Sequence, residues 1–217
     1  MFSSALPLLL LCSCWGLLGS ASGAATVDEV YRDVVAVVSP DQADLNEDVV
    51  RALFSKLEDR VQCGTVPCTK CDLAGSVHQL LNGHNHEHRS GENAVSVSQF
   101  GAFASGAIMY LSSPNVACAA IAEGLWFDKT EEFLHNVVHH EHRADLGHAH
   151  DYIDTHGLEA VFAELKLHYA SLPNEVCVTP TDVMVEVNVF SEFEEVEVGV
   201  ALGRLLYHAL LGSCFTA

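Results

Sequence analysis

Basic residues are what this sequence has least of. Ten lysines and arginines stand against 29 aspartates and glutamates in 217 residues, a formal net charge of −19. A field of that sign repels phosphate backbones and anionic lipid headgroups, so it excludes nucleic-acid binding and polybasic membrane docking and draws cations to the surface. Charged side chains make up only 18% and hydrophobic ones 49%, which permits a buried core and excludes wholesale disorder. Asparagine-linked sequons are missing. So are a GxSxG elbow, a P-loop and a dinucleotide fingerprint. His140-Glu141 fails as a metalloprotease helix because position 144 is Ala144, and the reversed form fails because position 138 is Val138. Paired acids such as Glu194-Glu195 read as a solvated helix face. Nothing nominates a catalyst, and the chain is not read as an enzyme.

Long apolar runs are confined to the beginning. Ala5 to Leu18 is apolar and is followed by small residues from Gly19 to Ala24, the pattern of a secretory signal peptide over residues 1–23. Elsewhere no stretch reaches the roughly 20 uninterrupted apolar residues of a spanning helix; Val198 to Phe215 is broken by Arg204 and His208. Residues 24–217 are then expected to form one helix-rich ectodomain in an oxidising compartment. Of eight cysteines, Cys12 and Cys14 fall in the leader, leaving Cys63, Cys68, Cys71, Cys118, Cys177 and Cys214. An even number in that setting reads as three disulfides, with the connectivity open. The alternative is a zinc site of Cys63, Cys68, Cys71 and His78, whose spacing matches no common finger. Cys68-x-x-Cys71 lacks the βαβ context of a redox pair.

Periodicity is helical nearly throughout, and the fold class it implies is all-α. Val50, Leu53, Phe54, Leu57 and Val61 recur at three- and four-residue steps, with Asn46 placed to cap the helix. The pattern predicts further helices over Val27–Val38, Asp72–Leu81, Ala94–Leu111, Val116–Leu125, Thr130–Arg143 and Tyr152–Leu172. Thr179-Pro180 offers a cap followed by proline at the first helical position. Val183 to Phe193 alternates apolar and polar residues as a strand would, yet Pro180 and the neighbours favour helix. A last helix is expected over Glu194–Leu211, stopped by Gly212.

Thirteen histidines gather mainly in two loops, about 82–93 and 139–156. His84, His86 and His88 alternate around Glu87, and His148 and His150 form a second HxH pair near Asp145, Asp151, Asp154 and His156. His135, His139 and His142 are spaced to share one face if helical. Imidazole with carboxylate suits zinc, so His84, His86, His88, His135, His139, His142, His148 and His150 are the candidate ligands, for a metal bound in the micromolar range as an order of magnitude. Protons compete for the same nitrogens, so such sites release metal in acid. No cofactor is required by this reading; zinc is a candidate ligand.

Three stretches together resemble a known family. They are Asp59-Arg-Val-Gln-Cys63-Gly-Thr-Val-Pro-Cys68-Thr-Lys-Cys71, Ala107-Ile-Met-Tyr110-Leu-Ser-Ser-Pro-Asn-Val-Ala-Cys118 continuing to Gly124-Leu-Trp126, and Leu205-Leu-Tyr-His-Ala-Leu-Leu-Gly-Ser-Cys214-Phe215. Each is similar to the N-terminal, helix-rich half of the large ectodomain of ZIP-family zinc transporters of the intestinal type. The resemblance spans roughly residues 45–217. It implies an all-α ectodomain that supports zinc uptake without forming the pore, on the extracellular face of the plasma membrane. It also implies the pairs Cys63 with Cys68, Cys71 with Cys118, and Cys177 with Cys214. Family relatives continue into a second ectodomain half with a Pro-Ala-Leu motif and eight membrane helices. Neither lies within these 217 residues, so the chain reads as a fragment, a truncated product or a secreted relative.

Three functions follow in order. The first is an accessory ectodomain of a zinc importer, partnered by zinc ions, the second ectodomain half and the membrane helices. The second is a free-standing secreted zinc buffer. The third, a saposin-like lipid binder, is disfavoured because Cys63, Cys68 and Cys71 cluster where that family spreads its cysteines. The sequence leaves a homodimer open.

Overall fold

Helix boundaries in this protein are written into short polar signals. Thr26 and Glu29 form a reciprocal capping box, with the Thr26 N–H donating to Glu29 Oε2 at 2.9 Å. That box opens α1 (Val27–Val38). The Asn46 side chain accepts from the Val49 N–H at 3.0 Å and opens α2 (Glu47–Glu58) with two acids in its first turn, where the helix dipole favours them. The computed structural model describes residues 24–65, 68–82, 94–138, 152–170, 172, 174–190 and 196–217. The expected signal peptide lies outside these residues.

The described residues are predominantly α-helical. After α2 come α3 (Leu73–Asn82), a 3-10 turn (Val97–Gln99), α4 (Phe100–Ser112), α5 (Pro114–Glu123) and α6 (Trp126–Val138). Then follow β1 (Tyr152–Ile153), α7 (Thr155–His168), β2 (Cys177–Val178), α8 (Pro180–Glu186), β3 (Val196–Glu197), α9 (Val198–Leu211) and β4 (Cys214–Phe215). β1 pairs antiparallel with β3, and β2 pairs in parallel with β4. Ser113-Pro114 ends α4 and also starts α5, since proline at the first turn loses no intrahelical hydrogen bond.

Several boundaries differ from the periodicity, each because a distant segment claims the residue. The helix expected from Ala94 begins only at Val97, because Val95 bridges to Leu45 instead. The Tyr31 hydroxyl sits at that bridge, donating to the Val95 carbonyl at 2.9 Å and accepting the Leu45 N–H at 2.8 Å. Tyr152 and Ile153 leave their predicted helix to pair with Glu197 and Val196, which in turn leave theirs. The Asp154 side chain then caps α7 by accepting the Gly157 N–H at 2.9 Å. The alternating stretch resolves as helix through Glu186 only, with Asn188 at φ 62° beyond it.

Two helices organise the core. α4 packs against α3, α5, α6, α7 and α9, and α9 packs against both α1 and α4. Phe100, Phe103, Ala104, Ala107, Ile108 and Leu111 of α4 are completely buried. Phe54 meets Phe103 edge-on at 5.6 Å between ring centres, and Trp126 at 6.1 Å. The close approach of α9 depends on glycine. A methyl group on Gly199 would lie 3.0 Å from the Cα of Gly101, and one on Gly203 would lie 2.6 Å from the Phe100 ring and 2.9 Å from Val30.

The six cysteines pair as Cys63–Cys68, Cys71–Cys118 and Cys177–Cys214. The first stitches the turn after α2, the second ties the approach to α3 onto α5, and the third joins β2 to β4. The thiolate zinc site of Cys63, Cys68, Cys71 and His78 is accordingly not formed: its sulfurs are consumed in disulfides, and His78 is exposed with Nδ1 facing the Gly75 carbonyl at 3.0 Å.

Candidate functional site

The histidine-rich segments spring from well-anchored helix ends. The first follows α3, whose Leu73, Val77 and Leu80 are buried, and returns at Val95, which the Leu45 bridge and the Tyr31 hydroxyl hold in place. The second follows α6, whose Leu134 and Val137 are buried, and returns at β1, where Ile153 is buried. The two ends of this second frame meet closely. A methyl group on Gly157 would lie 3.0 Å from the Val137 carbonyl oxygen, so the last turn of α6 abuts the first turn of α7.

Of the candidate ligands, His135 alone lies among the described residues, exposed on the last turn of α6. His84, His86 and His88 fall in 83–93, and His139, His142, His148 and His150 in 139–151, all outside the described residues. The shared helical face of His135, His139 and His142 therefore has only its first member on described helix. Among the described residues no group of three or more His, Cys, Asp or Glu side chains could hold a metal ion. Next to the second frame stand His156 and Glu159, one turn apart on α7, with Nδ1 3.3 Å from Oε2 and both side chains exposed.

Two tyrosines are removed from metal chemistry by their surroundings. Burial, reinforced by the nearby Glu58 carboxylate, pushes the Tyr110 phenol up to about 12. Burial does the same to Tyr169, also to about 12, outweighing the opposing pull of Arg60, with a smaller push from the Glu175 carboxylate. Both stay protonated in the physiological range, and the Tyr169 hydroxyl donates to the Ala209 carbonyl at 2.9 Å. Two of the carboxylates with lowered pKa values are caps. Asp182 is held below its ordinary value by the Thr179 hydroxyl and backbone, and Glu29 chiefly by the Thr26 backbone N–H. These acids are committed to helix ends.

The sequence registers His208 only as a break in an apolar run. The structure makes it the buried histidine among the described residues, 8% exposed, with Nε2 at 3.0 and 2.9 Å from the two oxygens of Glu186. Glu186 also lies 3.8 Å from Arg204, which pairs with Asp33 at 2.9 Å and stacks over Tyr207. A single histidine on an otherwise apolar helix face was the available signal; its partner on α8 was not legible.

The described frame is predominantly α-helical and pinned by three disulfides. No curated protein gives a significant match. The family model described as the zinc transporter ZIP4 domain matches residues 52–215, from within α2 through β4, and takes in all three disulfides. The chain belongs to the zinc transporter ZIP4 domain family.

Proposed function

We propose that this chain is the extracellular accessory part of a zinc importer, supporting uptake by gathering zinc on its histidine-rich segments while the pore is formed elsewhere. The family match over residues 52–215 carries the reading. The described residues that bound the histidine segments support it. Both segments are bounded by buried residues, Leu80 and Val95 for the first and Val137 and Ile153 for the second, so their ends are held apart at fixed points, which lowers the entropy lost in bringing ligands together compared with a free chain of the same length. A net charge of −19 raises the local concentration of divalent cations around them. Among the described residues no helix is long and apolar enough to cross a membrane.

In this role the domain neither catalyses nor translocates. It holds zinc reversibly near the transporter and gives it up as protons take the imidazole nitrogens. Calorimetric zinc titration of the intact chain tests the reading against a variant with His84, His86, His88, His139, His142, His148 and His150 replaced by Ala. Circular dichroism must show both proteins equally helical. Zinc binding in the wild type, micromolar as an order of magnitude, is expected to vanish in the variant and to weaken from about pH 7.5 to about pH 5. Equal binding by the two proteins would refute zinc gathering by these segments.

A further inference from the structure

α8 is a short helix held at both ends of its run. Cys177–Cys214 fixes the chain just before it, and Glu186 at its last turn reaches His208 and Arg204 on α9. The Glu186 side chain is 39% exposed, whereas those of His208 and Arg204 are 10% and 13% exposed, so the two nitrogen groups sit in the protein and the carboxylate closes over them. We propose that His208 and Glu186 form a proton-operated latch between α8 and α9, tighter when His208 carries a proton on both ring nitrogens.

Three features of the geometry support this. First, the site accommodates both states of the ring. Neutral imidazole donates from Nε2 to Glu186 while Nδ1 faces the Ser213 hydroxyl at 3.5 Å; a hydroxyl can donate to Nδ1 or accept from it, so protonation leaves no donor stranded. Second, the facing charges are in deficit of a cation. From α8 come Asp182 and Glu186; from α9, Arg204; and from α1, Asp33 on Arg204 with Glu29 near it. α4 contributes no charged residue, the charged residues of α2 are all exposed, and Glu197 of β3 is exposed as well. Adding a charge to His208 therefore brings the cluster closer to balance. Third, His208 lies in the last turn of α9, where the backbone ends at Gly212 in the left-handed region and the helix dipole favours a cation. Histidine is the side chain that ordinarily changes charge between pH 5 and 8. The consequence opposes that drawn for the candidate zinc ligands: acid that strips metal from their imidazoles tightens the packing of α8 on α9.

Amide hydrogen exchange of α8, corrected for the intrinsic pH dependence of exchange, tests the latch in the intact chain without zinc. Protection of α8 is expected to be several-fold higher near pH 5.5 than near pH 7.5, a window set by the histidine range. Both His208→Gln, which keeps a donor but cannot be protonated, and Glu186→Gln, which keeps the shape but not the charge, are expected to flatten that difference. His78→Gln and His168→Gln, on exposed and half-exposed rings, are expected to retain it. Wild-type protection that stays level or falls in acid overturns the proposal even if no variant folds. So does an undiminished pH dependence in either latch variant.

Discussion

Removing the disulfides one pair at a time gives a ranked outcome that the topology dictates. The three closed loops are separate along the chain: residues 63–68, 71–118 and 177–214 neither overlap nor nest. Each crosslink therefore restrains its own stretch of unfolded chain, and the losses are expected to add. With sequence separations of 5, 47 and 37 residues, the loop-entropy relation gives about 2, 4 and 3.8 kcal/mol for the three bonds at 25 °C. Packing sharpens the contrast. Cys118 and Cys214 are 3% and 5% exposed, so alanine at those positions leaves buried space, while Cys63 and Cys68 are only half-buried and their replacement leaves less. The assay is urea unfolding followed by circular dichroism on Cys63→Ala/Cys68→Ala, Cys71→Ala/Cys118→Ala and Cys177→Ala/Cys214→Ala, read at constant slope. The Cys63/Cys68 pair is expected to be the mildest loss by about 2 kcal/mol. If its removal costs as much as that of Cys71/Cys118, or if the long-loop pairs can be removed without loss, the account of what these bonds do is wrong.

Other perturbations address the packing and the caps. Gly203→Ala drives a methyl group into the Phe100 ring and Val30; a loss of about 1–3 kcal/mol is expected in the same assay, as for other overpacked contacts. Tyr31→Phe removes a hydroxyl that serves both the Val95 carbonyl and the Leu45 N–H, so about 1–3 kcal/mol of stability is lost, and faster amide exchange at Leu45 locates the damage. For acid, the sign follows from Asp182 and Glu29, both held below their ordinary pKa values by their capping threonines. Their contribution is complete above the unfolded carboxylate range and disappears as pH falls through the lower folded values. Asp182→Asn is expected to flatten the loss of stability in that acid range, a difference measured by thermal melts at stepped pH.

The sequence by itself determined what is local. Apolar side chains at three- and four-residue steps place α1, α2, α3 and α9, because a helix buries one stripe whatever it packs against. Asn46, Thr179-Pro180 and Gly212 mark helix ends because their side chains or backbone freedom satisfy the terminal hydrogen bonds within a few residues. The histidine clusters were equally plain in the sequence, though seven of the eight proposed ligands lie outside the described residues. The tertiary structure alone decided where a residue's partner lies far along the chain. Val95 leaves its predicted helix for Leu45, and Tyr152 and Ile153 leave theirs for Glu197 and Val196; no local period encodes such pairings. His208 is the sharpest case. Its neighbours in sequence are apolar, so periodicity reads an interruption. Its charge partner Glu186 sits 22 residues away, and it arrives there because Cys177–Cys214 and the packing of α8 on α9 bring the two helices together. Helices are specified by nearest neighbours, while the energy of a buried charge depends on whatever the whole fold places around it.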